Sequence, residues 1–264
     1  MYPFYQLVLR AYRPIGLFAK AKRGILWESL LIDIPGPYQT GSLSSKKGVK
    51  HKVISSIASQ ACREGNIPAL RQLLIVFWPF VDEFPKIIRR GCVKFIKHEL
   101  ITDPGNADDL LSLLVLADKT LTLIERDEAD HRELWIKATE AVGLTYQDLE
   151  QPPIPLVEKL ITEMETWADP AAMFLRFAAV EIMAEVASWH FLESPQFRQA
   201  VGTKGSEWFL AHTEHGDESH ESLTYRLAFA FRESGITHEE ASALIQPLID
   251  LFVEAAESAV ATLV

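Results

Sequence analysis

From His51 onward, apolar residues recur at three- and four-residue spacing, and no alternating run competes as a strand. This pattern predicts helices over Pro68–Arg90, from Ala107 to Gly143, over Pro155–Trp167, Pro170–Leu192 and Ser206–Glu233, and from Thr237 towards the end. Pro68 fits a first helical turn, whereas Pro79 and Pro85 predict a kink or a break. Asn106 is a candidate N-cap, and Gly143 and Gly235 are stops. Thr145 caps a short segment that ends at Pro152-Pro153, and Thr237 caps the final helix with Glu239 and Glu240 in its first turn. The Pro170–Leu192 segment is apolar all round, so it is expected at the centre of the fold. The sum is an all-α bundle of about seven or eight helices with short connections. Asp33–Lys50, rich in Gly, Pro, Ser and Lys, reads as a loop or lid. Residues 1–50 are therefore expected to be an arm and loop, and residues 51–264 the helical bundle.

Composition adds exclusions. With 48% apolar residues, 14 Phe and 6 Trp in 264 residues, the chain is neither disordered nor fibrous. Two cysteines, Cys62 and Cys92, make no disulfide framework or thiolate zinc site and fit a reducing, cytoplasmic setting. Apolar runs such as Leu73–Val81 fall short of the about 20 residues that cross a bilayer, so no membrane partner is expected. The first 26 residues, interrupted by Arg10, Arg13, Lys20, Lys22 and Arg23, lack the order of a signal peptide.

Charge is uneven. Residues 1–52 carry nine Lys and Arg against Glu28 and Asp33, a balance of +7, while the other 212 residues carry 17 basic and 34 acidic groups, a balance of −17. So acidic a body repels nucleic acid, and a basic arm folded back on it is the expected arrangement.

Metal sites in helical bundles use carboxylates and imidazoles that project inward from facing helices, often as Glu-x-x-His. Residues three apart differ by only about 60° around a helix, so both reach one ion. This chain carries Glu128-Ala-Asp-His131 on its long helix and Asp217-Glu-Ser-His220 on its penultimate one. Glu181 and Glu185 lie between them, one turn apart in an apolar helix where an unpaired carboxylate is costly. A cation or an arginine such as Arg176 would answer that cost. His51, His98 and His238 sit among polar residues and read as surface, and His190 as a packed core histidine. Phe174, Phe177, Trp189 and Phe191 are candidates for the wall of an apolar pocket or simply for core.

Several segments together resemble the heme-oxygenase-like di-iron oxidases and oxygenases, in particular their fatty-acid decarboxylase branch that forms 1-undecene. These are Leu70–Phe84 with its Phe77-Trp78-Pro79-Phe80, Glu128-x-x-His131 followed by Leu134-Trp135, Ala179-Val-Glu181, and Trp208-Phe-Leu-Ala-His212 through His220. The resemblance covers about residues 52–260. It implies a heme-oxygenase-like bundle and a metal-ligand set of Glu128, His131, Glu181, His212, Asp217 and His220, with Asp82 as the family's earliest carboxylate. One departure stands out: the family's His-x3-Asp-x2-His appears here with four residues between His212 and Asp217. A regular helix would point His212 about 140° away from Asp217 and place Thr213 on the ligand face. A π-bulge near Gly216 would restore His212, and His215 is the alternative ligand in the competing register.

The resemblance implies two Fe(II) per chain, O2 as co-substrate and no catalytic residues beyond the metal ligands. The expected activity is O2-dependent oxidation of a small organic substrate, such as an amino-acid derivative or a fatty acid, by oxidative C–C cleavage, desaturation or N-oxygenation in specialised metabolism. An external electron donor and a homodimer are both compatible with it. The rivals are a cofactor-free oxidase or a thiaminase-like hydrolase on the same fold, and a non-enzymatic interaction protein. A heme oxygenase would need a proximal histidine on its first helix, and none stands there.

Overall fold

The computed structural model describes residues 44–102, 107–213, 220–231, 236–261 and 263. Among these are eleven helices and no strand. In chain order they are α1 (Ser44–Ser55), α2 (Ile57–Arg63), α3 (Ile67–Thr102), α4 (Ala107–Ala141), α5 (Tyr146–Leu149), α6 (Pro155–Glu165), α7 (Pro170–Leu192), α8 (Pro195–Gly205), α9 (Glu207–Ala211), α10 (His220–Ala230) and α11 (His238–Val260).

Local chemistry explains most boundaries. Ser56 begins α2 by accepting a bond from the Ser59 backbone N–H, and Asp169 does the same for Ala172 at the start of α7. α4 ends where Gly143 takes a φ of +76°, with Leu144 N–H bonded to Thr139 O and Gly143 N–H to Glu140 O. This is a Schellman closure, which favours glycine at the left-handed position. Thr145 with Asp148 and Thr237 with Glu240 form capping boxes.

Three expectations need correction. Of the kink or break expected at Pro79 and Pro85, the break is absent, and α3 runs continuously through both. Each proline removes one backbone bond, but Leu70, Leu74, Phe80, Phe84, Ile87 and Ile88 stay buried along the helix, and that burial outweighs the loss. The helix expected over Ser206–Glu233 is divided: α9 ends at Ala211 and α10 begins at His220. Thr213 closes α9 by donating from both its backbone N–H and its hydroxyl to Leu210 O, which competes with continuing the helix. Finally, helix begins at Ser44, inside the segment expected to be loop. The Asn106 cap, the Gly235 stop and the arm up to residue 43 lie outside the described residues.

α3 and α4 pack antiparallel. Arg89 pairs with Glu125, Asp82 with Arg132, and Trp135 Nε1–H donates to Leu74 O, so numbers rise on one helix as they fall on the other. α7 is the central element, packed against α1, α9, α10 and α11. Its Met173, Phe174, Phe177 and Ala179 are fully buried. No described helix is long and apolar enough to cross a membrane.

Candidate metal centre

Five of the carboxylates and imidazoles singled out in the sequence meet in the middle of the bundle. α4 supplies Glu128 and His131 from one face, three residues apart, α7 supplies Glu181, and His220 opens α10. His212 follows α9 as its C-cap residue. All five are buried. Their donor atoms form two groups, Glu128–His131–His212 and Glu128–Glu181–His220, within each of which the atoms lie inside 4.8 Å of one another. Glu128 belongs to both.

The spacing within the groups is compatible with ligands converging on one ion. Two donor atoms each about 2.1 Å from one ion, at octahedral or tetrahedral angles, are about 3.0–3.4 Å apart. Glu128 Oε1 stands 3.0 Å from His131 Nδ1 and 3.4 Å from His220 Nδ1, and Glu181 Oε1 stands 3.6 Å from the same His220 nitrogen. Two buried carboxylates need a compensating cation, and among the described residues neither has a lysine or arginine partner. Carboxylate oxygen mixed with imidazole nitrogen suits a divalent transition ion. The residues present therefore fit a metal.

Without a metal, His131 and His220 carry the compensating charge. Burial opposes the ionised form of Glu128, but hydrogen bonds from His131 and His220 and the charges of His131 and His212 hold its carboxyl well below the usual carboxylate range. Burial likewise works against charge on His220, yet the hydrogen bonds and charges of Glu128 and Glu181 raise it to about 11. His131 is raised by Glu128 and Glu181 against the cost of burial. His212 goes the other way, lowered first by burial and then by the charge of His131.

Each ring is held differently. His212 Nδ1–H donates to Trp208 O at 2.8 Å, and its ring lies 4.0 Å from that of Trp208 and 4.6 Å from that of His131. That leaves Nε2 towards the site. The His220 ring is oriented from its far side by Asp127, whose Oδ2 is 3.2 Å from Nε2.

The structure brings His212, rather than a solvent-facing residue, to His131. His215, Asp217 and the bulge expected near Gly216 lie outside the described residues. Asp82 stands apart as a correction: its carboxylate pairs with Lys86 at 2.7 Å and Arg132 at 2.5 Å, on the α3–α4 seam. The unbroken α3 keeps it there, and it is in neither donor group. Glu185, half-buried one turn beyond Glu181, is also in neither. Arg176 serves Glu163 and not Glu181. His190 is buried in the core beside Arg63, while His51 is exposed; the side chains of His98 and His238 lie outside the described residues.

A cavity of about 140 Å³ opens onto Glu128, Glu181 and His212. It runs beside α7 as far as Phe191, between Phe77 and Phe80 of α3 and Phe252 of α11. Phe191 is thus a wall residue, whereas Phe174 and Phe177 are plain core and Trp189 is half exposed. Among the described residues, no lysine, arginine or cysteine lines it. Residues missed in the sequence are Asp127, hidden in a charged run that reads as a solvated face, and Trp208, whose carbonyl sets His212; a carbonyl leaves no mark in a sequence pattern.

No protein-family model and no curated protein sequence matches the chain. Its fold is similar to that of a solved structure, a TenA homolog from Pseudomonas syringae pv. tomato str. DC3000, with a TM-score of 0.66 and 16% identity. The similarity covers 86% of this chain and 93% of that one. The chain thus has a heme-oxygenase-like all-helical fold.

Proposed function

We propose that this chain is an O2-dependent non-heme di-iron oxidase or oxygenase acting on a small organic substrate. The observation that carries the reading is the pair of donor groups sharing Glu128: two carboxylates and three imidazoles, all buried, from four separate parts of the bundle. Glu128 would bridge, His131 and His212 would hold one ion, and Glu181 and His220 the other. Two ferrous ions held there would supply the electrons and open coordination positions that activate O2.

The remaining work falls to the chain's own residues. Phe77, Phe80, Phe191 and Phe252 would wall an enclosed substrate with apolar surface, and displacing water from the site strengthens the electrostatic interactions inside it. The described cavity walls offer no lysine or arginine, which suits an uncharged enclosed part of the substrate with any acidic group at the metal end. The volume suits a modest apolar body, since an engineered cavity of about 150 Å³ takes up benzene. Oxidative C–C cleavage, desaturation and N-oxygenation are the outcomes this reading allows, with an external electron donor where the balance requires one.

A thiaminase-like hydrolase on the same fold would need an activated nucleophile. Burial pushes the Cys62 thiol up to about 12, and burial beside Asp118 raises that of Cys92 as well; neither lines the cavity. Loading with Fe(II) without O2, followed by metal analysis, tests the proposal: about two irons per chain are expected. O2 is then admitted with amino acids and fatty acids in turn, and a true substrate speeds O2 consumption. No bound iron after anaerobic loading refutes the reading.

A further inference from the structure

We propose that Asp127 is the positioning residue for His220, holding that ring so that Nδ1 and not Nε2 is offered to the metal; this rests on the di-metal reading above. The argument is geometric. His220 Nδ1 faces Glu128 and Glu181 at 3.4 and 3.6 Å, while Nε2 lies 3.2 Å from Asp127 Oδ2. Asp127 and Glu128 are neighbours on α4, about 100° apart around its axis, so one helix grips both ring nitrogens. A neutral imidazole has one N–H and one lone pair. Once a metal displaces the proton and the ring is neutral, an N–H committed to Asp127 leaves the lone pair at Nδ1, on the side of the two buried carboxylates. The anionic partner also makes the ring a stronger donor to the ion.

Among the three histidines this arrangement is particular to His220. His212 is set by a backbone carbonyl, that of Trp208, which no side-chain substitution removes. His131 has its Nδ1 on Glu128 itself. Asp127 is therefore a side chain outside both donor groups through which one ion can be weakened separately from the other. Its own carboxylate is 44% exposed, so the pair adds little to folding and its effect falls on the orientation of the ring.

The test uses the full-length metal-free chain, Co(II) alone as probe, and O2-free titration read by visible absorption and equilibrium dialysis. Wild type should bind two ions. Asp127→Ala should bind the ion at Glu181 and His220 about 10–100-fold more weakly, leave the other ion within a few-fold, and melt like wild type when metal-free. Asp127→Glu should restore most of the affinity, which a merely structural role would not require. A second measurement needs no variant: in the Zn(II)-loaded wild type, nitrogen-15 NMR of His220 should show a protonated Nε2 and a metal-bound Nδ1. Equal affinities in Asp127→Ala and wild type, equal weakening of both ions, or His220 bound through Nε2 would overturn the inference and leave the di-metal reading standing. A wild type that binds no Co(II) would sink both.

Discussion

Replacing His220 by alanine in the metal-free protein removes the cation that two buried carboxylates share. Glu128 and Glu181, with side chains 10% and 9% exposed, face His220 Nδ1 at 3.4 and 3.6 Å. Breaking a buried pair by deleting one partner costs about 3–5 kcal/mol. His131 still stands 3.0 Å from Glu128, and a carboxyl can take up a proton, so the lower end, about 3 kcal/mol, is expected at pH 7. For a bundle of this size that corresponds to a fall in Tm of about 6–12 °C. The pH dependence supplies a second signature. The folded-state pKa of His220 is raised to about 11 from an ordinary 6.5, so its contribution is complete below about pH 6.5 and is lost as pH rises towards 11. Across that window wild type should lose stability from this group as pH rises, and His220→Ala should lack that component. Urea unfolding of both metal-free proteins from pH 6 to 9, followed by circular dichroism, measures the difference. Equal stability at pH 7, or the same pH slope in both, refutes the charge-compensation argument.

His131→Ala should lose high-affinity iron while keeping the helical circular dichroism spectrum; full iron content and turnover would make His131 a bystander. His212→Ala should lose iron and His215→Ala should not, because His212 is the histidine beside His131, and the opposite result would reverse the assignment. Gly205→Ala should destabilise by about 1–3 kcal/mol in thermal unfolding, since a Cβ there would meet Ala141 Cβ at 2.6 Å and Val201 Cβ at 3.0 Å. An unchanged Tm would mean that α8 moves off α4 at no cost.

The sequence by itself determined the all-α class, the long helices α3, α4, α6, α7 and α11, and the face that Glu128 and His131 share. Pro170–Leu192 was legible to the residue because Asp169 caps it and its apolar composition admits only a buried helix. Glu128 and His131 were legible as a pair because three residues on one helix share a face, a fact of the helical period alone. The period carries no information about which faces meet across helices. That Glu128 belongs to two groups, that Asp82 is taken by Lys86 and Arg132, and that Asp127 reaches round to the far nitrogen of His220 were decided by the packing of α3, α4, α7 and α10. The period also fails where the chain leaves it. His212 reaches the site because α9 stops at Ala211, where Thr213 ties off Leu210 O, and a residue outside a helix points where its neighbours hold it. Trp208 O orients its ring locally, and the ring meets His131 only once α9 is laid across α4 and α7.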